Sequence, residues 1–277
     1  MIRLTALPPV LFALLLSVAA SGCAADTEGG AAPADDTAGA EDDLTARQLP
    51  GTIAVEIADV RNRDTVLASK TIGAPKKVKS VLGAVKKLKP TDPVPRCMER
   101  DTKRLTFLDA ANKPLATVDT YCAGFGHLTF ANGRDGYGVK FSTEIVDGAA
   151  AAPFAVGDAL YGVTSIEIIK PGTTQKRTLT GDAVKPILDG FDLDAVPNPN
   201  ASFPRCLPSH AVTFMRANAK VATTSFLCGS ADAANAPASV QGSFVGLDPK
   251  NPEAMLGRGG VQLDPRPVLR AFASGSN

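Results

Sequence analysis

The sequence predicts an α+β fold made of two tandem repeats, each an antiparallel sheet (strand-strand-helix-strand-strand) with one packed helix and one disulfide. Three observations lead there. A series of landmarks recurs in the same order, segments of β-type alternation flank helical spacing, and four cysteines fall in matching places of the two copies.

The repeat governs the fold, because each copy is one supersecondary unit. Pro95 to Cys122 lines up with Pro204 to Cys228. Both open on Pro-Arg-Cys and close on Cys. Between lie Thr106-Phe107 against Thr213-Phe214, Ala111-Asn112 against Ala217-Asn218, and Ala116-Thr117 against Ala222-Thr223. Upstream, Lys79 and Leu82 match Lys185 and Leu188, and Val55-Glu56-Ile57 matches Ile166-Glu167-Ile168. The offset is 106 residues at Lys79/Lys185, Asn112/Asn218 and Cys122/Cys228. So ordered a set marks a duplication.

Unit 1 spans residues 49–146. Ile53, Val55 and Ile57 alternate with Ala54, Glu56 and Ala58, which suits a half-buried strand over Thr52 to Val60. Arg61 to Asp64 turns the chain, and Thr65 to Ile72 returns with β-branched residues. Pro75 then opens a helix whose apolar face is Val78, Val81, Leu82, Val85 and Leu88, ended by Pro90 and Pro93. A second hairpin follows, Leu105 to Leu108 and Leu115 to Tyr121, and Gly-rich sequence runs to a last strand near Val139 to Phe141. Residues 147–161 form the linker. Unit 2, residues 162–277, repeats the plan with strands Thr164 to Lys170 and Gln175 to Leu179. Its helix follows Asp182 as N-cap, and its second hairpin is Ala211 to Arg216 with Val221 to Leu227. A short helix over Pro267 to Phe272 belongs to a C-terminal extension.

Residues 1–22 read as a signal peptide: Met1-Ile2-Arg3 is a short positive start, and Leu4 to Ala20 is apolar apart from Thr5, Pro8, Pro9 and Ser17. Its uninterrupted core, Val10 to Leu16, is too short to span a bilayer as a permanent helix. Ala20-Ser21-Gly22-Cys23 resembles the lipobox of bacterial lipoproteins, with Ala20 where that family usually has Leu. The resemblance covers about the first 23 residues. It implies a lipid-modified Cys23 and attachment to the extracytoplasmic side of the cell envelope, at the outer membrane if the host is a diderm. The competing reading is ordinary cleavage near Ala20 or Ala25 and a soluble product. Residues 23–48 hold the anchor cysteine and an acidic segment, in which seven acidic residues face Arg47 alone and Leu44 is the one large aliphatic. Such a composition cannot offset its ordering entropy and reads as a disordered tether.

In an exported chain disulfides persist. Spacing alone leaves three pairings of four cysteines open. A duplicated unit carries its crosslink within itself, which gives Cys97–Cys122 and Cys206–Cys228. Each would be worth around 3 kcal/mol in the chain-entropy model. No C-x-x-C occurs and the chain has 2 histidines, so no metal or cofactor is expected.

No catalytic residue is assigned. Ser209-His210 lacks a Gly-x-Ser-x-Gly context, and Gly133 to Gly138 is not the strand-fingerprint-helix order of a dinucleotide site. The unusual local feature is basic. Lys76, Lys77, Lys79, Lys86, Lys87 and Lys89 crowd the first helix, where the second has a single Lys185 among acids. That face is a candidate contact for an envelope protein, a glycan or anionic lipid, with a solvated surface as the plain alternative. Beyond residue 48, 27 basic residues face 21 acidic ones, too mild an excess to argue for nucleic acid. The reading is a membrane-anchored envelope lipoprotein acting as a non-catalytic binding or structural module. Its alternatives are an exported hydrolase with a site between the repeats, or an inhibitor of an exported enzyme.

Overall fold

A computed structural model describes residues 47–62, 64–93, 95–96, 101–203, 208–227 and 233–274. The first hairpin is β1 (Ala54–Arg61) with β2 (Thr65–Ile72), followed by α1 (Pro75–Ala84) and the short β3 (Val85–Lys87). Then come β4 (Asp101–Leu108), β5 (Pro114–Cys122), β6 (Phe125–Phe130) and β7 (Tyr137–Phe141). Two helices, α2 (Thr143–Ala151) and α3 (Val156–Leu160), lead to the second copy. That copy holds β8 (Ser165–Ile169), β9 (Lys176–Thr180), α4 (Lys185–Leu188), β10 (Pro208–Arg216), β11 (Ala219–Leu227), β12 (Val240–Asp248) and β13 (Asn251–Leu263). The last described helix is α5 (Arg266–Ala273).

The two sheets run in the orders β2-β1-β4-β5-β6-β7-β3 and β13-β12-β11-β10-β8-β9. Reversing the second gives β9-β8-β10-β11-β12-β13, the first order with β3 removed. The landmarks keep their register too. Glu56 lies opposite Thr106 in the first sheet, and Glu167 lies opposite Thr213 in the second. The repeated Ala-Asn pair falls at the hairpin turn of both copies, with Asn112 at φ 60° and Asn218 at φ 69°. The loop is Asp109 to Lys113 in the first copy but Ala217-Asn218 alone in the second, where Ala217 too is at φ 46°. Asparagine tolerates that left-handed conformation better than most residues.

The expected α+β unit of four strands and one helix is not what forms. Strand makes up 46% of the described residues, and each copy has six strands in common order. The strands beyond expectation are β3, β6, β12 and β13, and in β12 and β13 glycines interrupt any alternation. At Gly246 and Gly257 an added Cβ would meet the Phe154 ring at 2.3 Å, so the bare backbone makes room for a side chain lying across β12 and β13. The helices are also shorter than expected. Helix α1 stops at Ala84, one residue past Gly83, because Val85 to Lys87 extend and pair with Val139 to Phe141 of β7. In the second copy Asp182 is no N-cap but sits in a 3-10 turn, Gly181–Ala183, and α4 is a single turn containing Pro186, which lacks an N–H. No disulfide closes between described residues. Cys97, Cys206 and Cys228 lie outside them, and Cys122 is buried at the end of β5 and is not a free thiol.

Each copy has its own core. The first gathers Val55, Ile57, Ile72, Leu105, Phe107 and Leu128 under α1, and Val146 of α2 joins it. The second gathers Ile166, Ile168, Val212, Phe214, Phe226 and Phe244, with Leu160 of α3 and Val268 of α5. The two linker helices therefore serve different cores.

Candidate functional site

The linker is built around a buried carboxylate. Asp158, 4% exposed, is the third residue of α3 and reaches back to accept the Ala155 N–H at 3.0 Å through Oδ2. Its Oδ1 accepts the N–H groups of Gly73 (2.9 Å) and Ala74 (3.1 Å), at the corner between β2 and α1. Lys77 Nζ donates to Oδ2 at 2.7 Å and also to the Pro153 carbonyl at 2.7 Å. The backbones here touch without room for side chains: a Cβ on Gly73 would lie 2.4 Å from the Gly157 carbonyl oxygen. Asp158 thus ties the corner of the first copy to the helix that fills the second core.

Two further cations cap the linker helices. Lys70 Nζ donates to the carbonyls of Ala150 (2.6 Å) and Ala152 (2.8 Å) at the end of α2. Burial first, and Lys77 second, push its pKa down. Arg216 donates from Nη2 to Ala159 (2.7 Å) and from Nε to Tyr161 (2.9 Å) at the end of α3. Cations are favoured where the last carbonyls of a helix point. The Arg216 guanidinium also lies over the Tyr161 ring, 3.4 Å from its centroid, and burial pulls its pKa below the ordinary value.

These groups stand at one wall of a cleft of about 930 Å³. The first copy contributes Glu56, Thr71 and Thr106, which lie in register across β2, β1 and β4, and Asn112 of its Ala-Asn turn. The second contributes Arg216 and Ala217 at its own Ala-Asn turn, and the β12–β13 turn, Asp248 to Lys250. Phe154, Tyr161, Leu247 and Leu256 add apolar surface. Lys250 reaches to 3.9 Å from Glu56 across the gap. The duplication therefore brings both copies of one turn to one cleft, with different chemistry on each side. No pattern in the sequence marks it, although Asp158 inside the apolar run Phe154 to Tyr161 is the kind of buried acid that signals a structural tie.

A second hollow of about 500 Å³ is lined by Asp59, Lys103, Thr120 and Asp147 among others. Its lysine is already neutralised, at 2.8 Å from Asp59 and 3.0 Å from Asp147.

The six lysines do not share one helix face. Lys76 and Lys79 are exposed on α1, whereas Lys77 turns inward to Asp158. Lys86 and Lys87 belong to β3, with Lys87 above the Tyr137 ring at 5.1 Å from its centroid, and Lys89 follows that strand. Cys23 lies outside the described residues. His127 is exposed on β6. His210 is buried, 3% exposed, against Phe272 of α5 at 4.9 Å between centroids, and its Nδ1 has no partner. Among the described residues no three His, Cys, Asp or Glu side chains group as a metal site, and no helix is long and apolar enough to cross a membrane. Comparison with protein-family models, with curated proteins and with solved structures finds no match.

Proposed function

We propose that this chain is a lipid-anchored cell-envelope protein that binds a ligand in the cleft between its repeats and performs no chemistry on it. The observation that carries the reading is the cleft itself, whose walls come from both copies and the linker. Its volume falls in the range of small-ligand sites, which mix apolar surface with a few placed polar groups. The anchor reading rests on Ala20-Ser21-Gly22-Cys23 and the acidic stretch after it. A tether of that kind would hold the cleft clear of the membrane surface.

The chain contains 0 tryptophans, which gives a direct test. Leu256→Trp places a single indole at the cleft, and its emission is followed while small anionic, neutral and cationic compounds are titrated. A saturable change with one class supports the reading. A silent indole across all three classes removes it. Intact mass of membrane-extracted protein tests the anchor: an acylated Cys23 is expected, and an unmodified thiol there overturns it.

A further inference from the structure

We propose that the cleft ligand is an oxyanion, a carboxylate or a phosphate group, seated on the open N–H edge of Arg216. The inference rests on the reading of the cleft as a ligand site. Arg216 is 6% exposed, and Nε and Nη2 are pinned by two carbonyls while the Tyr161 ring holds the plane. Nη1 has no hydrogen bond to a described residue and is not among the buried polar atoms left without one. It is therefore reachable, and Arg216 lines the cleft.

Charge accounting points the same way. Among the described residues, no carboxylate lies within salt-bridge distance of Arg216, whereas Asp158 has Lys77 and Glu56 has Lys250. Two carbonyls and a ring stabilise a guanidinium without cancelling its charge. At the matching place the first copy carries no cation but Asp109-Ala110. The helix-capping role accounts for Nε and Nη2 and leaves the remaining N–H groups aimed at whatever enters. A planar donor edge held in place before the ligand arrives suits a carboxylate or phosphate oxygen better than a neutral group.

The experiment is calorimetric titration of the mature chain, from residue 23 onward, with succinate and separately with inorganic phosphate at constant ionic strength. One of the two is expected to bind saturably at one per chain, and which one names the source. Arg216→Gln should weaken that binding tenfold or more, the scale of one charge-assisted hydrogen bond. Arg216→Lys keeps the charge but loses the fork, and should weaken it several-fold. It carries the test if the Gln variant does not fold. Failure of both anions to bind, or unchanged affinity in a folded Arg216 variant, overturns the inference. If the Leu256→Trp reporter meanwhile answers to a neutral or cationic compound, the cleft remains a ligand site and only its anion preference is lost. If it answers to nothing, both readings fall together.

Discussion

Removing the Asp158 carboxylate tests the architecture at its joint. In Asp158→Ala the ammonium of Lys77, whose side chain is 16% exposed, loses its counter-charge, and the N–H groups of Gly73, Ala74 and Ala155 lose their acceptor. Breaking a buried pair by deleting one partner costs about 3–5 kcal/mol, because the survivor stays buried. In a folded unit of this size each kcal/mol moves the midpoint by about 2–4 °C, so a fall of roughly 6–20 °C is expected. The assay is thermal unfolding by circular dichroism on the chain from residue 23 carrying Cys23→Ser. The double variant Lys77→Met/Asp158→Asn separates charge from packing. It leaves no uncompensated ion and should lose less than the sum of its two single variants, by about 0.5–3 kcal/mol of coupling. A midpoint for Asp158→Ala within about 2 °C of the parent would refute the tie, since the desolvation argument admits no such mild outcome. Additive single variants would refute the pairing.

Three other perturbations have signed outcomes. Burial first, and Lys170 second, hold His210 below its ordinary pKa, so the folded chain keeps it neutral where the unfolded chain protonates it near pH 6.5. Its contribution is whole above that pH and is lost as pH falls, by up to about 1.4 kcal/mol per unit; urea unfolding between pH 7 and 4 should show that slope, flattened in His210→Phe. Ala217 holds φ 46°, a conformation costing a residue with a Cβ about 1–2 kcal/mol, so Ala217→Gly should stabilise by about 0.5–1 kcal/mol after glycine's added entropy cost. An unfolding midpoint that drops would contradict it. Gly246→Ala drives a methyl into the Phe154 ring and should cost about 1–3 kcal/mol, with Phe154→Leu in the same chain recovering part of it; absence of recovery would locate the strain elsewhere.

What could be read in advance followed from how local each signal was. The duplication was legible because its landmarks recur in the sequence itself, whatever they touch: Asn112 and Asn218 both adopt positive φ, and Glu56 and Glu167 keep matching cross-strand partners. Strands β12 and β13 were not legible, because their glycines answer to residues far away in the chain: Gly246 and Gly257 to Phe154, and Gly259 to Asn198. The placement of the lysine run on one helix failed for a related reason. A charge count treats Lys76, Lys77 and Lys79 alike, whereas α1 turns Lys77 inward to Asp158, 81 residues away, and leaves Lys76 exposed with its Nζ 3.9 Å from Asp194. Distance along the chain separates these cases better than residue type does.

In a duplicated chain the copies divide between shared structural requirements and positions free to serve a ligand. Positions that agree between the copies are held by requirements both copies share, namely core volume, turn geometry and register, and they carry little about the ligand. Positions that differ while facing a common space are free of those requirements. At the cleft the first copy presents Leu108 and Asn112 from its turn, and the second presents Arg216, buried, stacked on Tyr161 and without a carboxylate partner among the described residues. A buried guanidinium costs stability unless its charge is answered, and the carbonyls of Ala159 and Tyr161 answer it only in part. Binding an anion would recover the remainder. The folded chain should therefore melt higher in the presence of the anion it binds than in chloride of equal ionic strength, and Arg216→Gln should abolish that difference. Equal melting of the parent in both salts would leave the buried charge with a capping role alone.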